Sequence, residues 1–194
     1  MAGNIEPRKR GRQTRAKATE EAIVEAVARF LEEVGLEPLT TNKIAERAGV
    51  SIGSLYQYFP NKEAILVALI RRERSLLLAD VAAIADSLAS PQEKIEKLIG
   101  AGIKHQFARP RLALALEYVE QTVNLGEEAQ DLERRLSGAV SGIVSQQFPD
   151  AVSHAPRDVV AMAQALINSS AMASETDLEA LRSRIIKAVY GYLG

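Results

Sequence analysis

The chain has 194 residues, 47% hydrophobic and 25% charged, with a formal net charge of −1 and no cysteine. That length and balance suit one or two packed units and exclude a fibrous or wholly disordered chain, while the missing cysteine excludes disulfide frameworks, thiolate zinc sites and cysteine nucleophiles. No stretch approaches the roughly 18 consecutive apolar residues of a membrane span, and the basic N-terminal residues are not followed by an apolar signal core, so the sequence predicts a cytoplasmic protein with no membrane partner.

In chain order, residues 1–18 read as a basic arm, in which Arg8, Lys9, Arg10, Arg12, Arg15 and Lys17 stand against Glu6 alone. Such a run is either a solvated tail or a phosphate-attracting segment. From Ala22 onward apolar residues recur with the helical period and strand-like alternation is nearly absent, so the fold class is all-α. The first helix is predicted over 19–34, with Ile23, Val27, Phe30, Leu31 and Val34 on one face and Gly35 as its stop. Two unusually short helices follow over 41–48 and 52–58, separated by Gly49, Val50 and Ser51. Pro60 and Asn61 break the chain before a long helix over 62–88. Ser90, Pro91 and Glu93 form a capping box that opens a helix over 91–108. Pro110 starts the next, which carries Leu112, Leu116, Val119 and Val123 and is closed by Gly126. A helix over 127–147 and another over 156–173 follow, and a capping box at Thr176 and Glu179 opens the last, which runs to residue 193.

The stretch LTTNKIAERAGVSIGSLYQYFPNKEAIL, residues 39–66, is the informative one. Two short helices meeting at a wide angle need a small residue at their approach, a turn residue able to take positive φ, and apolar residues sealing their inner faces. Ala45 meets the first need, Gly49 the second, and Ile44, Ala48, Val50 and Leu55 the third. The residues left facing outward are Ser51, Ile52, Gly53, Ser54, Tyr56 and Gln57. Small side chains at the start of the second helix let its backbone approach DNA, Gln57 suits an adenine edge and Ile52 a thymine methyl. Thr40, Thr41, Tyr56, Tyr58 and Lys62 suit phosphates, although each tyrosine has core packing as its competing role.

This segment resembles the TetR (tetracycline repressor) family of transcriptional regulators. Ile44-Ala45, Ala48-Gly49-Val50-Ser51, Leu55-Tyr56, Tyr58-Phe59, Lys62-Glu63 and Leu66 fall where that family's pattern has them, over about a quarter of the chain. The resemblance implies a homodimer bound to double-stranded operator DNA, a recognition helix over 52–58, a Lys62 phosphate contact and a C-terminal domain that binds small inducers. The domain plan is then the arm over 1–18, a three-helix helix-turn-helix DNA-binding domain over 19–61, and a helical regulatory and dimerisation domain over 62–194.

Charge agrees with that polarity: residues 1–75 hold 13 basic and 10 acidic side chains, residues 76–194 hold 11 and 15. In the last helix Leu178, Leu181, Ile185, Ala188 and Tyr192 form one apolar row and Ile186, Val189 and Leu193 a second; the preceding helix adds Val159, Val160, Ala163, Leu166 and Ile167. Such wide faces predict a homodimer through the last two helices, against the alternative of a purely intramolecular core. His105 on one helix, and Tyr118, Gln121 and Thr122 on the next, share mixed faces with Leu98, Ala101, Leu114 and Leu125, as the lining of a small-molecule cavity would; a filled core is the competing reading. His105 and His154 are the only histidines, too few and too far apart in sequence to predict a metal site, and no cofactor is implied.

An enzyme is disfavoured, because no nucleophile elbow, phosphate loop or HExxH motif is present and Gly100-Ala101-Gly102 lies inside a helical pattern. The sequence therefore predicts a repressor that binds a palindromic operator as a homodimer and is released by a small, largely apolar ligand. The alternative is a ligand-independent helix-turn-helix DNA-binding protein.

Overall fold

Helical period without strand alternation dictates helices alone, and the computed structural model, which describes residues 9–123 and 125–194, contains nine α-helices and no strand among them. They are α1 (Lys9–Glu33), α2 (Thr41–Ala48), α3 (Ile52–Tyr58), α4 (Lys62–Ala85), α5 (Pro91–Ala108), α6 (Pro110–Thr122), α7 (Gly126–Gln147), α8 (Ala155–Met172) and α9 (Leu178–Leu193). The chain divides into two compact units, the first ending at Ile70 and the second spanning Arg71–Gly194. The division falls inside α4 rather than at the predicted 61/62 boundary, because the first turns of α4 bury Ile65, Leu66, Leu69 and Ile70.

Most differences from the predicted elements have local causes. Helix α1 begins at Lys9, ten residues before the predicted start. Residues 9–18 have almost no apolar side chains to show a period, yet Lys, Arg, Gln and Ala propagate a helix once it is nucleated. The predicted arm is thus partly helical; its residues 1–8, Arg8 included, lie outside the described residues. Helix α4 stops at Ala85, three residues early, where the Ser87 hydroxyl donates to the Ile84 carbonyl at 2.7 Å and competes with the helical ladder. Extended backbone at Val123 ends α6, and Gly126 is the first residue of α7 instead of a stop. The cap of α9 is Asp177, whose Oδ1 accepts from the Ala180 N–H at 2.9 Å, displacing the predicted Thr176 box by one residue. The Ser90–Glu93 capping box on α5 is present as predicted.

In the second unit α5 is the hub, packing on α6, α7, α8 and α9. Its row Ile95, Ile99 and Ile103 joins Ile143 and Val144 of α7, Val159 and Ile167 of α8, and Leu181, Ile185, Val189 and Leu193 of α9 in one buried cluster. Gly102 permits the α5–α8 contact, since a Cβ there would stand 3.0 Å from Ile167 Cδ1. Arg184 braces the α8–α9 turn by donating to both Glu175 carboxylate oxygens, at 2.9 and 2.8 Å, and to the buried Ser170 hydroxyl at 3.0 Å. That bonding holds the Glu175 carboxyl below its ordinary range.

The first unit joins α1 to α2 and α2 to α3, around Ile23, Val27, Leu31, Leu39, Ile44 and Leu55, all fully buried. Each such side chain stabilises the unit by about 1.5–3 kcal/mol relative to exposure. Between α2 and α3, Gly49 has φ +68, and a Cβ there would meet nothing within 4 Å. Gly49→Ala therefore isolates backbone strain, and we expect it to destabilise the protein by about 1–2 kcal/mol. An unchanged urea midpoint for that variant would mean that the turn does not depend on the left-handed conformation.

Candidate functional site

Local hydrogen bonding sets the angle between α2 and α3. The Gly49 N–H donates to the Glu46 carbonyl at 3.1 Å and the Val50 N–H to the Ala45 carbonyl at 3.0 Å, a Schellman pair that consumes the last carbonyls of α2. Thr40 caps α2, its Oγ1 accepting from the Lys43 N–H at 3.4 Å, and Ser51 caps α3, its Oγ accepting from the Ser54 N–H at 3.0 Å. Ile44, Ala45 and Leu55 are buried beneath the turn. With Leu55 pinned inward, the opposite side of α3 is left to solvent.

That side carries the predicted reading residues. Ser51, Ile52, Gly53, Tyr56 and Gln57 are exposed, Ile52 by 38% and Tyr56 by 51%, while Ser54 and Tyr58 are half-buried. On this seven-residue helix Leu55 alone is buried, so Ile52 and Tyr56 are not part of the core. The hydroxyls of Thr41 and Tyr56 pair at 3.2 Å across the two helices, and those of Ser51 and Ser54 pair at 2.8 Å. Lys62, half-buried at the start of α4, donates from Nζ to the Leu39 carbonyl at 3.4 Å, which leaves two of its three protons for another acceptor. Two cations of α2 that the sequence reading passed over lie against α1: Lys43 Nζ is 5.9 Å and Arg47 Cζ 6.0 Å from the Phe30 ring centroid. Lys43 Nζ also donates to the Pro38 carbonyl at 3.0 Å, and Arg47 pairs with Glu33.

In the second unit the polar groups that turn inward are others than predicted. The inward row of α6 is Leu112, Leu116 and Val119, all buried. A helix turns about 100° per residue, so Tyr118 and Gln121 fall on the outer side; Tyr118 is 60% exposed, and Gln121 and the terminal Thr122 are exposed too. The Thr122 hydroxyl donates to the Val119 carbonyl at 2.9 Å. In the single subunit these three therefore face solvent and not an internal cavity with Leu114 and Leu125, whereas His105 is half-buried on α5. Gln106 of α5 is buried instead, its Nε2 donating to Glu117 Oε1 at 3.1 Å. One turn along α6, Glu120 Oε2 accepts Arg74 Nη2 of α4 at 3.0 Å. Arg74 Nε and Nη1 are buried without an acceptor, at a cost of about 1–3 kcal/mol for each unmade bond. Among the described residues no group of three or more His, Asp or Glu side chains could hold a metal ion, and no helix is long and apolar enough to cross a membrane.

Two family models match this chain. One, described as Bacterial regulatory proteins, tetR family, matches residues 23–69; the other, Tetracyclin repressor-like, C-terminal domain, matches residues 90–193. The chain belongs to the TetR family. Among its relatives is the HTH-type transcriptional regulator BetI of Rhizobium meliloti, 33% identical over 101 residues, 52% of this chain and 50% of that protein. The fatty acid metabolism regulator protein of Bacillus subtilis is 25% identical over 126 residues, 64% of this chain and 65% of the relative. The chain spans about half the length of curated relatives it matches. Its fold is that of the transcriptional regulator FadR from Bacillus subtilis, solved in complex with stearoyl-CoA, with a TM-score of 0.75, 19% identity, and coverage of 90% of this chain and 99% of that one.

Within the TetR frame, the helix-turn-helix segment identified by its motif sits inside the first matched region, and the buried polar groups of α5 and α6 sit inside the second. Gln106 and Glu117 were visible in principle, as polar residues bordering the Ile99–Ile103 and Leu112–Leu116 rows. Arg74 was not, because nothing in the run Arg71-Arg72-Glu73-Arg74 marks one arginine as buried. Burial raises the Glu117 carboxyl above its ordinary value of 4.5, partly offset by the Gln106 bond and reinforced by the charge of Glu120. A raised folded-state value favours the folded protein below pH about 4.5 and loses that advantage as pH rises through the folded value. Glu117→Gln, which keeps an acceptor for Gln106, is therefore expected to raise the melting temperature at pH 7, with the gain disappearing near pH 4. An equal shift at both pH values would contradict this account.

Proposed function

We propose that this TetR-family chain is a repressor that binds a palindromic operator as a homodimer and is released by a small, largely apolar ligand. The observation that carries the DNA-binding reading is the outward face of α3, where Ile52, Tyr56 and Gln57 are exposed while Leu55 is fully buried. In this reading α3 enters the major groove, Gln57 pairs with an adenine edge and Ile52 touches a thymine methyl. Gly53 and Ser51 allow close backbone approach. Thr40, Thr41, Ser54, Tyr56, Tyr58 and Lys62 contact phosphates or position those that do.

For dimerisation the warrant moves from the apolar rows of α9 to the outer side of α8. Leu181, Ile185, Val189 and Leu193, with Val159 and Ile167, are already buried within the subunit, because α5 packs on both helices. What stays exposed is a stripe of Ala161, Ala165 and Met172 on α8, the last by 72%, together with Gly191 and Tyr192 on α9. Small side chains in such a stripe let a symmetry-related helix approach closely. The effector reading rests on the second unit, which in the FadR neighbour belongs to a fold solved with stearoyl-CoA. Of the expected ligand contacts His105, Tyr118, Gln121 and Thr122, the burial pattern supports only His105. Helix α4, which starts at Lys62 in the first unit and runs on into the second, is the covalent route for coupling.

Two half-sites about 34–36 Å apart are expected, since two copies of α3 must reach successive major grooves on one side of the duplex. In DNA selection, Gln57→Ala should relax preference at one base position per half-site at a cost of about 1–3 kcal/mol, whereas Lys62→Ala should weaken all sequences and lower the salt slope by about 1. A protected single half-site, or a Lys62 variant with an unchanged salt slope, would contradict these roles. Ala161→Arg and Ala165→Arg leave the core untouched and should give a folded monomer in sedimentation with operator affinity lost; a dimer that persists in both would remove α8 from the interface.

A further inference from the structure

The guanidinium of Arg74 holds unmet hydrogen-bonding capacity inside the second unit. Its side chain is 13% exposed, Nη2 reaches Glu120 at 3.0 Å, and Nε and Nη1 are buried with no acceptor. An arginine cannot relieve this by losing a proton, because it stays charged at any ordinary pH and carries only donors. Nε and Nη1 therefore call for an acceptor oxygen. Glu117 and Glu120 lie on α6, the helix whose Leu112, Leu116 and Val119 are buried, so the polar groups around Arg74 stand on an element whose other face is apolar.

Charge narrows the class of that acceptor. Arg74 is already neutralised by Glu120, and a second carboxyl, Glu117, stands close enough to feel the Glu120 charge. An anionic ligand would bring a further negative group beside Glu120, which already neutralises Arg74, in surroundings where like charges repel strongly. An uncharged carbonyl oxygen accepts the same N–H bonds without that repulsion.

We propose that Arg74 anchors the effector of this protein through Nε–H and Nη1–H, and that the effector is an uncharged molecule with an apolar body and a carbonyl-type oxygen, as in a ketone, ester or amide. This rests on the ligand-released reading above and names the ligand chemistry of that site. Arg74 lies on α4, the helix that begins at Lys62, so occupation of its free nitrogens acts on the element common to both units.

The test uses the full chain and three probes of similar size: acetophenone, ethylbenzene and benzoate. Acetophenone is expected to bind about tenfold more tightly than ethylbenzene, the ratio expected for a hydrogen bond to a buried charged donor. It should also shift the Nε–H proton resonance of Arg74, assigned by its absence from Arg74→Met, and benzoate should bind more weakly than acetophenone. In Arg74→Met the preference for acetophenone over ethylbenzene should fall to near unity. That variant removes the unmade bonds but also the partner of Glu120, so its melting temperature is measured alongside to show that the chain is folded when the preference is read. In Glu120→Gln the order should change, with benzoate gaining about tenfold as the countercharge is removed. Equal binding of acetophenone and ethylbenzene to the parent, with the Arg74 resonance unmoved, overturns the anchor and leaves an apolar ligand site standing. Binding of none of the three overturns the anchor and also the reading of the second unit as a sensor of such molecules. Unchanged benzoate affinity in Glu120→Gln overturns the charge argument.

Discussion

The turn between α2 and α3 is the constraint from which the exposed face of α3 follows. Two backbone hydrogen bonds, from Gly49 to Glu46 and from Val50 to Ala45, can form together only if residue 49 takes a left-handed conformation. Once they form, the direction of α3 is set, and Leu55 drops into the core with Ile44 and Ala45. Everything outward on α3 is then a remainder. The exposure of Ile52 and Tyr56 is a consequence of a turn that involves neither side chain.

The second unit follows a different logic, in which one helix serves all the others. Because α5 touches α6, α7, α8 and α9, its isoleucines organise the whole apolar cluster, and the close approach at Gly102 brings α8 near enough to complete it. The polar residues Gln106, Glu117, Glu120 and Arg74 sit along the border of this apolar packing and are costly to stability. Such groups persist in natural proteins where they serve something besides stability, and here they gather on α4, α5 and α6.

Legibility in the sequence tracked how local each determinant is. The limits of α2 and α3 could be read from Thr40, Gly49 and Ser51, since each cap acts on residues within four positions of itself. The same holds for Ser90 and Glu93 on α5. The start of α1 was hidden because its first turns have no apolar period, and the cap of α9 slipped because Thr176 and Asp177 are both competent. On α6 the sequence offers two stripes, 112-116-119-123 and 114-118-121-125, both with apolar members. Only packing against α5 and α8 selects the first and turns Tyr118 and Gln121 outward. The apolar rows of α9 were ambiguous for a related reason: they exceed what α8 alone can cover, and one further neighbour is α5, distant in sequence.

Ser51 and Ser54 share a hydroxyl contact at 2.8 Å while Ser51 also caps α3, so their oxygens are engaged in holding the helix together. The side chains at positions 52, 56 and 57 are exposed, and of these only Tyr56 makes a hydrogen bond to the rest of the subunit, through Thr41. Exchanging exposed residues of this kind usually changes stability by less than about 0.5 kcal/mol. If this face reads DNA, the protein separates the residues that must be kept from those free to drift. A lineage could then acquire a new binding sequence through two or three substitutions on α3, at almost no thermodynamic risk to the fold that presents them.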